Sequence, residues 1–316
     1  MYHLRKWPYM GDKFIIYNAM PAECTTLLAF KKIKNSMEMR KIILLSIIVL
    51  LISCGKETND QTPTIITPSS KDVVYLKVMT YNIAGAASSS GVRSLPDLAE
   101  VIKKADPDLI AIQEVDVFTT RNGKDVHLAR DLAALCDMEY WFFAKAMDFH
   151  DGEYGDAILS KYPFKETEAY TLSGDWEGQR IETRSAARVT VEVGGKDIDF
   201  ISTHFDHTSD EKWRILQANE LVGIVKERDL PVVVGGDLNC TPTSEPMKIL
   251  YQELLSPCKS NSCLGTFVGS KNAIDHLMYR SNDALTLSSY GVYAWADKES
   301  DHFPVGAIFE VEKLDK

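Results

Sequence analysis

From Val73 onward the sequence predicts a mixed α/β domain with more strands than one short sheet can hold. Two observations predict it: β-rich runs alternate with amphipathic helical stretches, and no internal repeat or second composition regime interrupts them. The segment from Val74 to Thr80 alternates apolar and polar residues in strand fashion. Ser94 is placed to cap a helix whose apolar stripe is Leu98, Val101, Ile102 and Ala105, with Pro96 in its first turn. Asp106-Pro107 stops that helix, and Leu109-Ile110-Ala111-Ile112 reads as a buried strand delivering Glu114. Residues 126–138 suggest a second helix, and Ala157-Ile158-Leu159-Ser160 another strand, closed by Tyr162-Pro163. Residues 186–193 and 196–203 form a hairpin turning at Gly194-Gly195. Ser209 is expected to begin a long helix with Ile215, Ala218, Val222 and Val225 on one face. Residues 231–236 are a buried strand ending at Asp237, and Thr243 and Ser244 open a short helix. Ala273-Ile274 leads into Asp275, and residues 305–311 finish the chain as a strand.

The beginning of the chain has a different character. Arg40-Lys41 precede an apolar run over residues 42–52 broken only by Ser46, too short to span a bilayer but suited to a signal-peptide core. It ends in Leu51-Ile52-Ser53-Cys54, which resembles the bacterial lipoprotein cleavage box with Cys54 as the lipidated residue. A buried core helix is the competing reading, but a polar segment rather than a second periodic one follows. The expected organisation is a spurious upstream extension at 1–36, with Met37 or Met39 as the start, and a lipoprotein signal peptide at 37–53. A flexible tether at 54–71 and the folded domain at 72–316 follow. Acyl chains anchor by burying methylenes, and a triacylated cysteine provides the more than one chain that stable anchoring needs. The expected location is the bacterial cell envelope, lipid-anchored at the outer membrane and facing the periplasm or the surface.

The whole chain carries a formal charge of −10, and residues 1–53 hold eight Lys or Arg against three Asp or Glu, so the rest carries −15. Such a body repels polyanions, which argues against a general nucleic-acid binder. A nuclease stays open, because a metal can supply the positive charge. Of six cysteines, Cys24 and Cys54 precede the domain. Cys258 and Cys263 bracket a four-residue loop and are either a small disulfide of an exported protein or two free thiols. Cys136 belongs to a helix's apolar face, Cys240 follows Asn239, and no Cys/His zinc spacing occurs.

The chemistry lies in short polar clusters beside apolar runs. Asp237 and Asn239 are two apart at the end of an extended run, which points both side chains to one face. There a carboxylate can polarise a water while the amide orients an oxygen without adding charge. Asp and Asn are also ordinary turn residues, so this pair alone decides nothing. Asp301 and His302 are adjacent and serve different partners, Asp301 a metal and His302 a phosphate or an attacking water. Asp275 is suited to accept the second ring proton of a histidine, and His276 reads as structural. Glu114 ends a buried strand and must pair or bind metal, since a bare carboxylate there costs several kcal/mol. Oxygen ligands without thiolate favour Mg²⁺ or Mn²⁺ over zinc.

In order along the chain, Met79-Thr80-Tyr81-Asn82-Ile83, Ile112-Gln113-Glu114-Val115 and Ser202-Thr203-His204-Phe205-Asp206-His207 carry one recognisable pattern. Gly235-Gly236-Asp237-Leu238-Asn239, Ile274-Asp275-His276 and Ser300-Asp301-His302 complete it. The chain thereby resembles the endonuclease/exonuclease/phosphatase superfamily over residues 73–311. That superfamily includes pancreatic-type deoxyribonuclease, abasic-site endonucleases, neutral sphingomyelinases and inositol polyphosphate 5-phosphatases. The resemblance implies a four-layer α/β sandwich, two face-to-face mixed β-sheets flanked by helices. It implies Glu114 as main metal ligand helped by Asn82 and Asp301, and His302, held by Asp275, as acid/base or phosphate-stabilising group. It further implies Asp237 as the residue that positions or deprotonates water, Asn239 and His204 as clamps on phosphoryl oxygens, and Arg184 as an arginine near the phosphate. One departure is Asp156, in Tyr154-Gly155-Asp156-Ala157, where related bacterial proteins often carry Asn.

The resulting expectation is a lipid-anchored, Mg²⁺- or Mn²⁺-dependent hydrolase of phosphoric esters. Its substrate is a small molecule, a lipid headgroup or a nucleic acid, it meets the membrane through the anchor only, and it is monomeric. An extracellular nuclease and a sphingomyelinase-like phospholipid phosphodiesterase are the rival enzymes, and a non-catalytic binding domain is the third reading. Lipid-active relatives add an apolar hairpin, but Trp141-Phe142-Phe143 reads as buried strand instead.

Overall fold

The computed structural model describes residues 72–314. In chain order these form β1 (Val73–Asn82), α1 (Leu95–Ala105), β2 (Leu109–Val117), α2 (Leu128–Leu135), β3 (Tyr140–Phe149), β4 (Gly152–Ser160) and β5 (Phe164–Leu172). A two-stranded ribbon, β6 (Asp175–Trp176) and β7 (Gln179–Arg180), precedes β8 (Arg184–Val193), β9 (Lys196–His204), α3 (Lys212–Lys226) and β10 (Val232–Asp237). The chain continues through α4 (Glu245–Leu250), β11 (Asp275–Arg280), β12 (Leu285–Val292) and β13 (Val305–Glu312). One sheet has the order β12-β13-β1-β2-β4-β3 and the other β11-β10-β9-β8-β5.

Central strands are apolar on both faces because each face is covered. On β1 and β2, Leu76, Val78, Leu109 and Ala111 pack against Val189, Phe200 and Val233 of the other sheet. The alternate residues Met79, Tyr81, Ile110 and Ile112 meet Leu98 and Ile102 of α1 and Leu128 and Leu132 of α2. On the far side, Ile201, Val232 and Val234 meet Ala218 and Leu221 of α3 and Met247 and Leu250 of α4. Period-two alternation thus builds three apolar seams, and with them the four-layer α/β sandwich.

Two parallel pairs position the site. β1 and β2 are parallel with α1 between them in sequence, and β9 and β10 are parallel with α3 between them. Their C-terminal ends carry Asn82, Gln113-Glu114, His204 and Asp237, and the two sheets bring these ends together. Gly235 marks how close the sheets come, since a Cβ there would sit 2.9 Å from Ala111 Cβ and 3.0 Å from Thr80 Cβ.

Several expected boundaries shift for identifiable reasons. Helix α2 is confined to Leu128–Leu135, with His127 at its N-cap, rather than 126–138. Helix α3 begins at Lys212, not Ser209, and its buried face is Trp213, Arg214, Gln217, Ala218, Leu221, Ile224 and Val225. The face rotates away from Ile215 and Val222 because it also serves the loop after His204. Gln217 Oε1 accepts from Asp206 N at 2.8 Å, and Arg214 Nη1 donates to Asp206 O at 3.0 Å. Residues 141–143 lie in strand β3 as expected, with Phe142 and Phe143 packed against the cores, while Trp141 on this edge strand is 39% exposed. Strand β5 escaped the sequence reading because its middle is exposed Lys, Glu and Thr, held by ladder bonds to β8 rather than by burial. Cys258 and Cys263 are joined in a disulfide, and Cys136 and Cys240 are free and buried. The lipoprotein box and the tether at 54–71 lie outside the described residues.

Enlarging Gly235 wedges the sheets apart at their tightest point, and Gly235→Val is expected to cost about 1–3 kcal/mol. Urea unfolding measures this, and an unshifted midpoint contradicts the packing described.

Candidate active site

Each polar side chain is delivered by a strand end or by the loop beside one. His204 and Asp237 are Cα partners across β9 and β10, and Asp237 and Asp275 are partners across β10 and β11. Three neighbouring strands therefore present three functional groups at one level. From the opposite sheet, β1 ends in Asn82, and Glu114 sits in a β2 bulge between Ile112 and Val115 with a φ of +61°. Bulges re-aim side chains, and a positive φ at a non-glycine residue is a cost that surrounding structure must hold. His302 precedes β13, where Ser300 Oγ donates to Asn82 O at 2.8 Å and accepts from His302 N at 3.2 Å.

Asn82 is the junction. Its Nδ2 donates to Glu114 Oε1 at 3.1 Å and to Asp237 Oδ2 at 3.0 Å, and lies 3.5 Å from His302 Nε2. Its Oδ1 accepts from Ala84 N at 3.0 Å. Asn82 thus turns donors toward its neighbours, and its oxygen, the atom a metal would use, toward the backbone. On the other ring nitrogen, His302 Nδ1 donates to Asp275 at 2.9 and 3.1 Å from the two carboxylate oxygens. Thr266 Oγ1 holds Asp275 in turn, accepting from its backbone N at 3.0 Å. Asn239 Nδ2 donates to His204 Nε2 at 3.0 Å and to Phe205 O at 3.1 Å, while its backbone N donates to Asp237 Oδ1 at 2.9 Å.

Asn239 has a φ of +48°, so the chain has already left the strand there. The expected shared face of Asp237 and Asn239 is not what unites them; the turn that Asp237 Oδ1 caps does so. Asp275 begins β11. His276 is structural as expected, with Nε2 2.9 Å from Cys240 O. Arg184 is buried, with Nη2 donating to His207 Nδ1 at 2.9 Å and to Glu182 Oε2 at 3.3 Å. Asp301 is the most open member, its side chain 47% exposed with Oδ1 4.0 Å from His302 Nε2. Asn82, Glu114, His204, Asp237, Asn239, Asp275 and His302 are thus gathered in one place, with Asp301 at the rim and Arg184 behind. The positioning hydroxyls of Ser300 and Thr266 were missed; a serine or threonine in a loop carries no local signal of what it will hold.

Burial sets the electrostatics. It pushes the His302 imidazole down, but the charge and hydrogen bond of Asp275 override it and lift His302 to about 10. Burial pushes His204 well below the ordinary histidine range, and the positive charges of Arg184 and His302 push the same way. One histidine is therefore a cation and the other neutral through neutral pH, with His204 Nε2 as the acceptor. His204 Nε2 lies 3.5 Å from Asp237 Oδ2, a contact that carries no ion pair. Burial and the neighbouring Asp275 lift Asp237 to about 7, opposed by His302. Glu114 is raised by burial, opposed by Asn82, with the field of Asp301 adding to the rise.

Two donor sets are candidates for a divalent cation. Ligand atoms of Asp237, Asp275 and His302 lie within 4.8 Å of one another. Those groups already satisfy each other, Asp275 through the imidazole and Asp237 through Asn82. Glu114 and Asp301 instead present only oxygen, and the field of Asp301 adds to the rise that burial causes in Glu114. Arg121, whose field also reaches Glu114, is committed to Asp116 at 2.5 and 2.7 Å. Glu114 with Asp301 fits a hard cation better.

A model of the Endonuclease/Exonuclease/phosphatase family matches residues 79–302. Phospholipase C of Staphylococcus aureus is 28% identical over 111 residues, which are 32% of this chain and 34% of the relative. The chain thus spans about a third of the length of the curated relatives it matches. Among solved structures, an endonuclease/exonuclease/phosphatase from Beutenbergia cavernae superposes with a TM-score of 0.65 at 22% identity, covering 75% of this chain and 72% of that one. The mannosyl-6-phosphatase of Bacteroides thetaiotaomicron gives 0.59 at 19% identity, covering 73% and 98%. At these identities the structural likeness establishes the fold alone.

Replacing Asp275 with Asn removes the charge that holds the His302 proton while burial remains. In metal-free protein, NMR titration of His302 is expected to show its pKa falling by about 1–3 units; an unmoved value contradicts the pairing.

Proposed function

The chain belongs to the endonuclease/exonuclease/phosphatase family, whose members hydrolyse phosphoester bonds, and on that premise we propose a divalent-metal-dependent phosphoesterase using an Asp237-held water. The observation that supports this reading best is the single hydrogen-bonded set linking Glu114, Asn82 and Asp237, with His302 on Asp275 beside it. Mg²⁺ or Mn²⁺ suits the oxygen-only donors Glu114 and Asp301. Such a cation, when bound, supplies positive charge opposite the phosphoryl and leaving oxygens.

The remaining work falls to the chain's own groups. Asp237, lifted to about 7, is matched to taking a proton from water near neutrality. His302 carries a proton and a charge toward the oxygens where negative charge grows during in-line displacement. Asp275 fixes the ring and its tautomer. Asn239 and His204 line the side where phosphoryl oxygens are to be held, with Arg184 adding charge from behind. Asn82 orients Glu114 and Asp237 together, so its loss disturbs both.

The 28% identity to a phospholipase C supports a second reading, a phospholipid phosphodiesterase. A nuclease has less behind it, because the acidic chain lacks a basic tract. A non-catalytic role fits poorly with a polar set in which every position keeps a competent side chain. The anchor belongs to the proposal as well: Cys54, lipidated, tethers the enzyme to the bacterial envelope.

With a generic phosphoester substrate, turnover is expected to vanish on chelation and return with Mg²⁺ or Mn²⁺. His302→Ala is expected to lower kcat by about 10²–10⁴-fold. Equal turnover in that variant removes the mechanism. Cys54→Ser is expected to move the protein from the detergent to the aqueous phase on Triton X-114 partitioning; retention in detergent refutes the anchor.

A further inference from the structure

Phe267 is a large apolar residue that none of the three apolar seams uses, and it stands 36% exposed. It forms an antiparallel bridge with His302. Phe303 N donates to Thr266 O at 2.6 Å and Val268 N to Asp301 O at 2.8 Å, so the ladder bonds flank the Phe267–His302 pair. Such a pair is the non-hydrogen-bonded kind, whose side chains share one face and approach most closely. The two rings accordingly meet at 5.0 Å between centroids, with planes 79° apart.

His302 fixes where that shared face looks. Its Nε2 lies 3.5 Å from Asn82 Nδ2 and 3.7 Å from Asp237 Oδ2, inside the polar set. Asp301, next to it in the chain, stands at the rim. Phe267 is therefore at the mouth on the His302 side, beside the group that meets the phosphoryl and leaving oxygens in the proposed mechanism. A substrate held there brings the carbon side of its ester past this ring.

The loop that carries Phe267 is closed on itself. Thr266 N donates to Asn272 O at 3.0 Å, Ser270 N to Phe267 O at 3.0 Å, and Asn272 N to Ser270 Oγ at 3.1 Å. Gly265 packs so tightly that a Cβ there would overlap Ser270 O. Thr266 is buried, and its Oγ1 accepts from Ile274 N and Asp275 N, both at 3.0 Å. The ring is thus presented from fixed backbone, so little freedom remains to be lost when a ligand covers it. One fixed ring offers a flat face, not a groove. A planar ring can match that face by offset or edge stacking, whereas a flexible chain would be ordered along its length for a single contact.

Building on the phosphoesterase reading, we propose that Phe267 is a specificity residue, a stacking platform that favours phosphoesters whose alcohol carries a flat aromatic ring close to the ester oxygen. Open-chain alcohols, the glycerol of a phospholipid among them, gain little from it.

Phosphonates test this on the full Mn²⁺-loaded protein, since the methylene in place of the ester oxygen is not cleaved. Calorimetry is expected to show wild type binding benzylphosphonate about three- to tenfold more tightly than ethylphosphonate. Phe267→Ala and Phe267→Leu are expected to bring that ratio near one, with the loss falling on the benzyl compound, and Phe267→Trp is expected to keep it. Leucine still covers His302, so Phe267→Leu carries the test if the alanine variant does not fold. Turnover is expected to follow, with the kcat/KM ratio of benzyl phosphate to ethyl phosphate falling by about three- to tenfold in Phe267→Leu. A preference untouched by the substitutions, an equal loss for both phosphonates, or a wild type that shows no preference or binds neither overturns the assignment. If neither ester is hydrolysed, the phosphoesterase reading fails while the phosphonate comparison still decides the role of Phe267.

Discussion

Desolvated acid is what the rest of this structure must accommodate. Glu114, Asp156, Asp237 and Asp275 converge on one end of a β-sandwich, where burial penalises the charged forms of Glu114, Asp156 and Asp237. Compensation from the protein is sparse: the Asn82 amide spans Glu114 and Asp237, the His302 imidazolium answers Asp275, and Ser185 meets one oxygen of Asp156. Glu114, Asp156 and Asp237 stay raised in spite of this. A fold that served only itself would gain by replacing such groups with apolar ones. Their presence is explained if the missing compensation arrives with a cation and a substrate.

The architecture follows from the same requirement. Two parallel pairs, β1–β2 and β9–β10, end together because their intervening helices lie on opposite outer faces of the two sheets. The tight approach at Gly235 and the bulge at Glu114 then set depth and aim. Ser300 ties the His302 segment to the end of β1, and Thr266 ties Asp275 to the loop before β11. Neither hydroxyl belongs to the reacting set, but both fix where it stands.

Much of this was legible in the amino-acid order. Apolar runs with polar residues at their ends marked Asn82, Glu114, His204 and Asp237, because burial on both strand faces leaves an unmistakable pattern. The central strands and the Gly194-Gly195 hairpin were readable for that reason. The edge strands β5 and β12 were not: they are held by backbone ladders, which leave little trace in side-chain periodicity. The face of α3 was misread because Arg214 and Gln217 are buried to satisfy a loop, and periodicity counts only apolar residues. A shared strand face is the wrong geometric reason for pairing Asp237 with Asn239, since the strand ends at Asp237 and Asn239 is itself left-handed. Arg184 was placed near the site, but its bond to His207 was invisible to spacing.

The most direct test of the central claim is anomalous diffraction from crystals soaked in Mn²⁺. One strong peak is predicted within about 2.6 Å of a Glu114 carboxylate oxygen, a distance typical of hard-cation ligation. A peak seated between Asp237, Asp275 and His302, or none near Glu114 at saturating Mn²⁺, contradicts the account.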